Sequence, residues 1–259
     1  MKIKMIVTDL DGTLLRTDKS ISDKTTYVLR RLREAGIKIV YATGRGGSAE
    51  KVVPNELFDG KISMNGATAK IGNEIVYSRL IPYDIARPIL TACDKKGIKI
   101  TSEIHGMHYS NFHVTDFWAH VAKYKITDFS THAIDAEKLY APNPNESERL
   151  FIEQLLPDAL YAVSTADITG DLFQVMHKDA AKAKAAAALA RIWGIPQNEI
   201  AAFGDDLNDR DLLAYAGFGV ATQNALDDVK AVSDFICASN DDDGVAAWIE
   251  KNVNIPIDI

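Results

Sequence analysis

Short runs of β-branched and aliphatic residues alternate with amphipathic helical stretches at both ends of this chain, and the alternation lapses in the middle. Ile3 to Thr8 and Ile37 to Ala42 read as buried strands, and Lys61 to Met64 as a third. Between the first two, Ser22 or Asp23 can cap a helix whose apolar face is Val28, Leu29, Leu32 and Ala35 and which Gly36 stops. The spacing predicts a short helix over 48–57, with Pro54 at its end. It also predicts a hairpin over 67–78 turning at Gly72-Asn73. The same order returns after His177. A helix over 179–193 is stopped by Gly194, and strands follow at Glu199 to Phe203, Phe218 to Ala221 and Asp234 to Cys237. Helices are expected over 208–216 and 244–251, with another before the last strand. Strands that alternate with helices in this way require a parallel sheet, helices on both faces and right-handed crossovers.

From about Pro82 to Val175 the pattern is weaker. A helix over 84–96, strands over 98–104 and 107–112, a loop at Pro142 to Asn145, a helix over 146–156 and strands over 160–164 and 172–176 are expected there. Nothing in this stretch has catalytic spacing, which suits a domain inserted between two halves of a sheet.

Composition narrows the function classes. The net charge of −7 is unfavourable for gripping a nucleic acid backbone, so any phosphate site must be concentrated in one cleft. No apolar run approaches the roughly 20 residues that cross a bilayer, and Met1 to Val7 does not read as a signal peptide. Two widely spaced cysteines, Cys93 and Cys237, suit a reducing compartment, so a cytosolic protein is expected.

Four segments carry chemistry. Asp9-Leu10-Asp11-Gly12-Thr13-Leu14 follows the first strand directly. Carboxylates two residues apart at a strand end can face one cleft, where one attacks phosphorus and the other moves protons. Ala42-Thr43-Gly44-Arg45 ends the second strand and offers a hydroxyl and backbone N–H groups to a phosphate oxygen. A lysine near a helix start calls for an anion, but spacing alone leaves Lys178, Lys182 and Lys184 open. Gly204-Asp205-Asp206-Leu207-Asn208-Asp209 clusters oxygen ligands for a hard cation; as a bare helix cap it would be ordinary. All four lie where ligands bind in open α/β sheets, beyond the carboxyl ends of the strands.

These segments, with Asn65-Gly66-Ala67, Asn224-Ala225 and Asp243 to Ala246, resemble the haloacid dehalogenase (HAD) superfamily of phosphatases, and within it the Cof-type subfamily IIB with a C2 cap. The resemblance covers nearly the whole chain. It implies an α/β fold: a Rossmann-like parallel-sheet core over residues 1–81 and 177–259, with an inserted α/β cap, the substrate-specificity domain, over 82–176. It implies that Asp9 is the nucleophile and Asp11 the general acid/base. Leu10, Thr43, Gly44, Lys182 and Asn208 would meet the phosphate. Lys182 is selected by counting back from Gly194-Ile195. Magnesium (Mg2+) would be held by Asp9, Asp205 and the backbone carbonyl of Asp11, with Asp209 in support. The chain departs from the subfamily pattern at Ala183, where glycine is usual, and at Thr222-Gln223, where Met-Gly is usual.

The implied activity is hydrolysis of small phosphate esters, such as sugar phosphates, through an aspartyl-phosphate. A sugar phosphomutase using the same intermediate and a non-catalytic phospholigand sensor are the rivals. The expected partner is a small phosphorylated metabolite, with neither nucleic acid nor membrane. No oligomeric state is implied. His105, His108 and His113 lack the accompanying carboxylates of a metal site and are read as cap-strand residues, and Phe117 and Trp118 as cap packing.

Overall fold

The computed structural model describes residues 1–119, 121–167 and 170–254. The chain forms two compact units, Met1–Ser78 with Ala181–Ile259, and Arg79–Ala180.

The first unit is built on β1 (Met5–Thr8), β2 (Lys38–Ala42), β3 (Gly60–Ser63), β4 (Thr68–Ile71), β5 (Glu74–Ser78), β12 (Ile200–Gly204), β13 (Phe218–Ala221) and β14 (Phe235–Ile236). They form one sheet in the order β14-β13-β12-β1-β2-β3-β4-β5. Pairing is parallel from β14 to β3, and β4 and β5 complete the sheet as antiparallel strands. Strand side chains alternate between faces, and both faces here are apolar. Ile6, Ile39, Tyr41 and Phe203 pack on Val28, Leu29 and Leu32 of α1 (Asp23–Glu34) and on Trp248 and Ile249 of α6 (Gly244–Asn252). Met5, Val7, Val40 and Ala202 pack on Ala185, Ala186 and Leu189 of α4 (Lys182–Ile192) and on Leu212 of α5 (Arg210–Tyr215). Burial on both sides explains why these strands read as continuous apolar runs. Of the two cap candidates, Ser22 caps α1, accepting from the Thr25 N–H. The alanine run lets α4 lie close to the sheet.

Two expectations are corrected here. The helix predicted over 48–57 is two short 3-10 turns, Gly47–Lys51 and Asn55–Leu57, because Pro54 cannot donate the hydrogen bond that would join them. The helix predicted over 208–216 begins as a 3-10 turn, Leu207–Asp209, and only then becomes α5.

The second unit contains α2 (Tyr83–Lys95), β6 (Thr101–Ile104), β7 (Met107–Ser110), β8 (Tyr124–Ile126), β9 (Lys138–Pro142), α3 (Glu146–Gln154), β10 (Leu160–Asp167) and β11 (Gly170–His177). Its sheet runs β10-β11-β9-β6-β7-β8, antiparallel except for β7 with β8. Neither β8 nor β9 is among the expected strands, although β9 lies inside the sheet. One face packs Leu139, Ala141, Phe173 and Val175 against Ile89 and Leu90 of α2 and Ile152 of α3. Phe112, Val114, Trp118 and Tyr140 form a separate apolar cluster in the same unit. Among the described residues no helix is long and apolar enough to cross a membrane.

Candidate active site

The carboxyl ends of β1, β2 and β12 bring three of the four sequence segments together, and the start of α4 brings the fourth. β1 lies between β2 and β12, with Thr8 opposite both Tyr41 and Phe203. Asp9, the next residue, donates its N–H to the Phe203 carbonyl at 3.0 Å. Its side chain is buried at the centre of the sheet end.

Lys182 is the first residue of α4 and is also buried. Its ammonium lies 2.7 Å from Asp9 Oδ1 and 2.6 Å from Asp209 Oδ1. The anion that the helix start called for is therefore supplied by two protein carboxylates. Lys178 and Lys184 are exposed, so burial separates the three lysines that spacing could not. Burial works against the Lys182 charge, but the carboxylates of Asp209 and Asp9 outweigh it and hold its pKa above the usual lysine value.

Asp209 is engaged at both oxygens. Oδ2 accepts the N–H groups of Asp205 at 3.1 Å and of Asp206 at 3.3 Å. Gly204 makes room for this, since a Cβ there would lie 2.3 Å from the Asp209 Cβ. Asp206 caps the turn, accepting the Leu207 N–H at 2.7 Å. Asp205 Oδ1 accepts the Thr13 hydroxyl at 2.6 Å. Its Oδ2 lies against Gly12, where an added Cβ would come within 2.3 Å, and the φ of +77° there also favours glycine. The loop after β1 and the loop after β12 are thus in direct contact.

Asp9, Asp205 and Asp209 offer carboxylate oxygens within 4.8 Å of one another, and among the described residues no other such cluster occurs. Burial pushes the Asp9 carboxyl well above its usual range; Lys182 opposes this and the charges of Asp209 and Asp205 add to it. Burial also pushes Asp205 up, to about 6, against the hydrogen bond from Thr13. Carboxylates this crowded favour a nearby divalent cation, and oxygen-only ligands suit a hard one. The residues fit a metal. Asp9 and Asp205 could bind it directly, whereas both oxygens of Asp209 are already engaged, by Lys182 and two amides.

Asp11 lies in another environment. Arg45 grips it through two bonds, Nε to Oδ2 at 2.5 Å and Nη2 to Oδ1 at 2.6 Å, and Lys19 adds a third at 2.8 Å. Burial alone would raise the Asp11 pKa, but these cations hold it at about 2. Leu10 has a fully buried side chain, which leaves only its main chain for a ligand. The buried Thr43 hydroxyl accepts the Arg45 N–H at 3.1 Å. Asn208 is exposed and donates to Asn65 Oδ1 at 3.1 Å. Sequence reasoning gave no role to Thr13, Lys19, Arg45 or Asn65. Thr13, Arg45 and Asn65 each stand in a segment that the sequence singles out, whereas Lys19 carries no such signal.

The middle-segment histidines do not converge. His105 is exposed and pairs with Glu137 at 3.4 Å, and His113 meets the Tyr124 hydroxyl at 3.1 Å. His108 is buried 3.6 Å from Glu103 and stacks on Trp118.

The family model of the haloacid dehalogenase-like hydrolases matches residues 6–249. The chain is 32% identical over 251 residues to the 5-amino-6-(5-phospho-D-ribitylamino)uracil phosphatase YcsE of Bacillus subtilis, covering 95% of this chain and 94% of the relative. A haloacid dehalogenase-like hydrolase from Bacteroides thetaiotaomicron superposes with a TM-score of 0.80 at 27% identity, over 96% of this chain and 99% of its own. A sugar phosphatase of HAD subclass IIB superposes with a TM-score of 0.79 at 26% identity, over 96% and 98% of the two chains. With its acidic cluster gathered at the ends of a parallel sheet, the chain belongs to the haloacid dehalogenase-like hydrolases and is a phosphatase of that family.

Proposed function

We propose that this phosphatase is magnesium-dependent and transfers the phosphoryl group of small phosphate esters to Asp9, then to water. The observation that carries the reading is the buried Asp9 carboxylate, with one oxygen on Lys182 at 2.7 Å and the carboxylates of Asp205 and Asp209 close by. An oxygen of Asp9 attacks phosphorus, the ester bond breaks, and the leaving oxygen takes a proton from Asp11. Water then attacks the aspartyl-phosphate, gives its proton to Asp11 and releases phosphate and the Asp9 carboxylate. A magnesium ion held by Asp9, Asp205 and the main chain of Asp11 would reduce the repulsion between the Asp9 carboxylate and the phosphate dianion.

Lys182 favours the ionised form of Asp9 against the burial that disfavours it and stabilises charge on the phosphoryl oxygens, joined by Thr43, the Gly44 N–H and Asn208. Asp11 is held as a carboxylate by Arg45 and Lys19, which is the form that accepts a proton from water. Its acid step requires that this grip loosen, so Arg45 governs which form of Asp11 meets the substrate.

The relatives act on a ribityl phosphate and on sugar phosphates by name. We extend that class, a phosphomonoester on a polyhydroxylated carbon chain, to this protein. The unit Arg79–Ala180 serves as the cap that selects the leaving group. Its sheet brings Glu103, His108, Lys138, Tyr140 and Gln174 into one polar group, with Lys138 bonded to Gln174 at 2.9 Å. A turnover screen over phosphorylated metabolites, with and without magnesium, tests the reading alongside Asp9→Asn. The amide keeps the shape but not the nucleophile, so this variant should stay folded and release no phosphate. Substantial release from a clean preparation would overturn the covalent route, and isomerised sugar phosphate without free phosphate would favour a mutase.

A further inference from the structure

The turn that follows β3 carries three successive positive φ angles: Met64 at 52°, Asn65 at 56° and Gly66 at 96°. Two non-glycine residues in this region are strained, and such strain persists only where the surroundings impose it. Here they do. The Met64 N–H donates to the Arg45 carbonyl at 3.1 Å and the Asn65 N–H to the Thr43 carbonyl at 3.0 Å. Gly66 lies flat on the start of α4, where an added Cβ would come within 2.3 Å of the Ala181 carbonyl group and 2.7 Å of the Lys182 nitrogen. The Asn65 side chain lies over Gly44, whose missing Cβ would sit 2.9 Å from Asn65 Oδ1, and that same oxygen accepts from Asn208 Nδ2 at 3.1 Å. One strained turn therefore touches the Thr43-Gly44-Arg45 segment, the helix start that presents Lys182, and Asn208.

We infer that Asn65 is a positioning residue for phosphoryl transfer, acting through Asn208. The inference rests on the reading of Asn208 as a phosphate contact. An asparagine amide can present either a carbonyl oxygen or two N–H groups, and a phosphate oxygen accepts only the latter. Asn208 is exposed and sits on a three-residue turn, so little else fixes its amide. By accepting one N–H, Asn65 keeps the nitrogen end of Asn208 on the side of Gly44. The second N–H of that nitrogen is then the group offered to an anion at the sheet end. The left-handed backbone aims the Asn65 oxygen, and asparagine is among the few side chains that tolerate that conformation.

The test is a double-mutant cycle of Asn65→Gly and Asn208→Ala, read as the inhibition constant of inorganic phosphate and as kcat/KM, with thermal midpoints alongside. Glycine keeps the left-handed turn without cost and removes only the side chain. Each single variant should weaken phosphate inhibition roughly tenfold, as expected for one charge-assisted hydrogen bond. The double variant should be no worse than Asn208→Ala alone, because both changes remove one interaction. If the two losses multiply, or if Asn65→Gly lowers the midpoint while phosphate inhibition is unchanged, Asn65 does not act through Asn208. If Asn208→Ala leaves phosphate inhibition unchanged, the phosphate-contact reading fails and this inference fails with it.

Discussion

Replacing Lys182 with methionine should show how far one buried cation holds the site together. Methionine keeps most of the volume, so the perturbation is electrostatic. Two charge-assisted bonds, at 2.7 Å to Asp9 and 2.6 Å to Asp209, are lost together from a fully buried position. Removing one partner of a buried ion pair typically costs about 3–5 kcal/mol. In a chain of this size that corresponds to a melting midpoint lower by roughly 6–20 °C. The sign of the pH dependence follows from Asp9, whose pKa burial already raises. Without Lys182 it rises further, so the native state binds a proton that the unfolded chain lacks, and stability increases as pH falls. The destabilisation should therefore be smaller at about pH 5 than at about pH 7.5 in metal-free protein. Thermal denaturation of Lys182→Met at both pH values, with the exposed Lys184→Met as control, measures it. The control should change stability by no more than about 0.5 kcal/mol. Equal losses in the two variants, or a loss at Lys182 indifferent to pH, would refute the reasoning. Activity should fall by about a hundredfold or more in Lys182→Met, and little in Lys184→Met or Lys178→Ala.

Asp205→Ala should abolish magnesium-dependent turnover and weaken magnesium binding in calorimetry; unchanged affinity would remove Asp205 from the ligand set. Burial raises the Asp205 pKa from 3.8 to about 6, so in metal-free protein stability should fall as pH rises through that window. Added magnesium should accordingly raise the melting midpoint more above that window than within it, and an equal rise at both would contradict the metal assignment. Substitutions at His105, His108 or Trp118 should change KM and the ranking of metabolites while sparing kcat/KM for a minimal aryl phosphate. An unchanged ranking would deny the Arg79–Ala180 unit its role in specificity.

The parts of the site that were legible in the sequence are those fixed by the strand ends. Asp9, Thr43 and Asp205 each follow an apolar run that can only be a buried strand, so their convergence follows from a parallel sheet. What was not legible depends on pairing across long separations. Spacing alone could not tell Lys182 from Lys178 and Lys184; the resemblance selected it, and packing buries it alone of the three. The grip of Arg45 and Lys19 on Asp11 joins side chains from separate loops, and no local spacing encodes it. β9 escaped notice because its residues, Lys138 to Pro142, include a lysine and a proline, which ordinarily mark a solvated edge or a turn. In the folded chain Lys138 is buried and bonded to Gln174 of β11, so the signal of exposure was misleading. The helix predicted over 48–57 failed for the opposite reason: apolar spacing was present, but Pro54 divided it.

The contact between Thr13 and Asp205 spans 192 residues of chain, and that separation bears on the order of events during synthesis. β1 can pair with β2 soon after both leave the ribosome, but its other edge has no partner until β12 is made. Through that interval a short apolar strand, followed directly by Asp9, has one open side, the exposure through which nascent sheets associate wrongly. Closing so long a loop adds little entropy, about 0.6 kcal/mol for each doubling of length. The delay is therefore one of time more than of free energy. If Arg79–Ala180 folds first as its own unit, it takes about a hundred residues out of the loop before β12 arrives. A chain cut anywhere before β12 would then hold Asp9 with neither Asp205 nor Asp209, and should be inert however well its first half had folded.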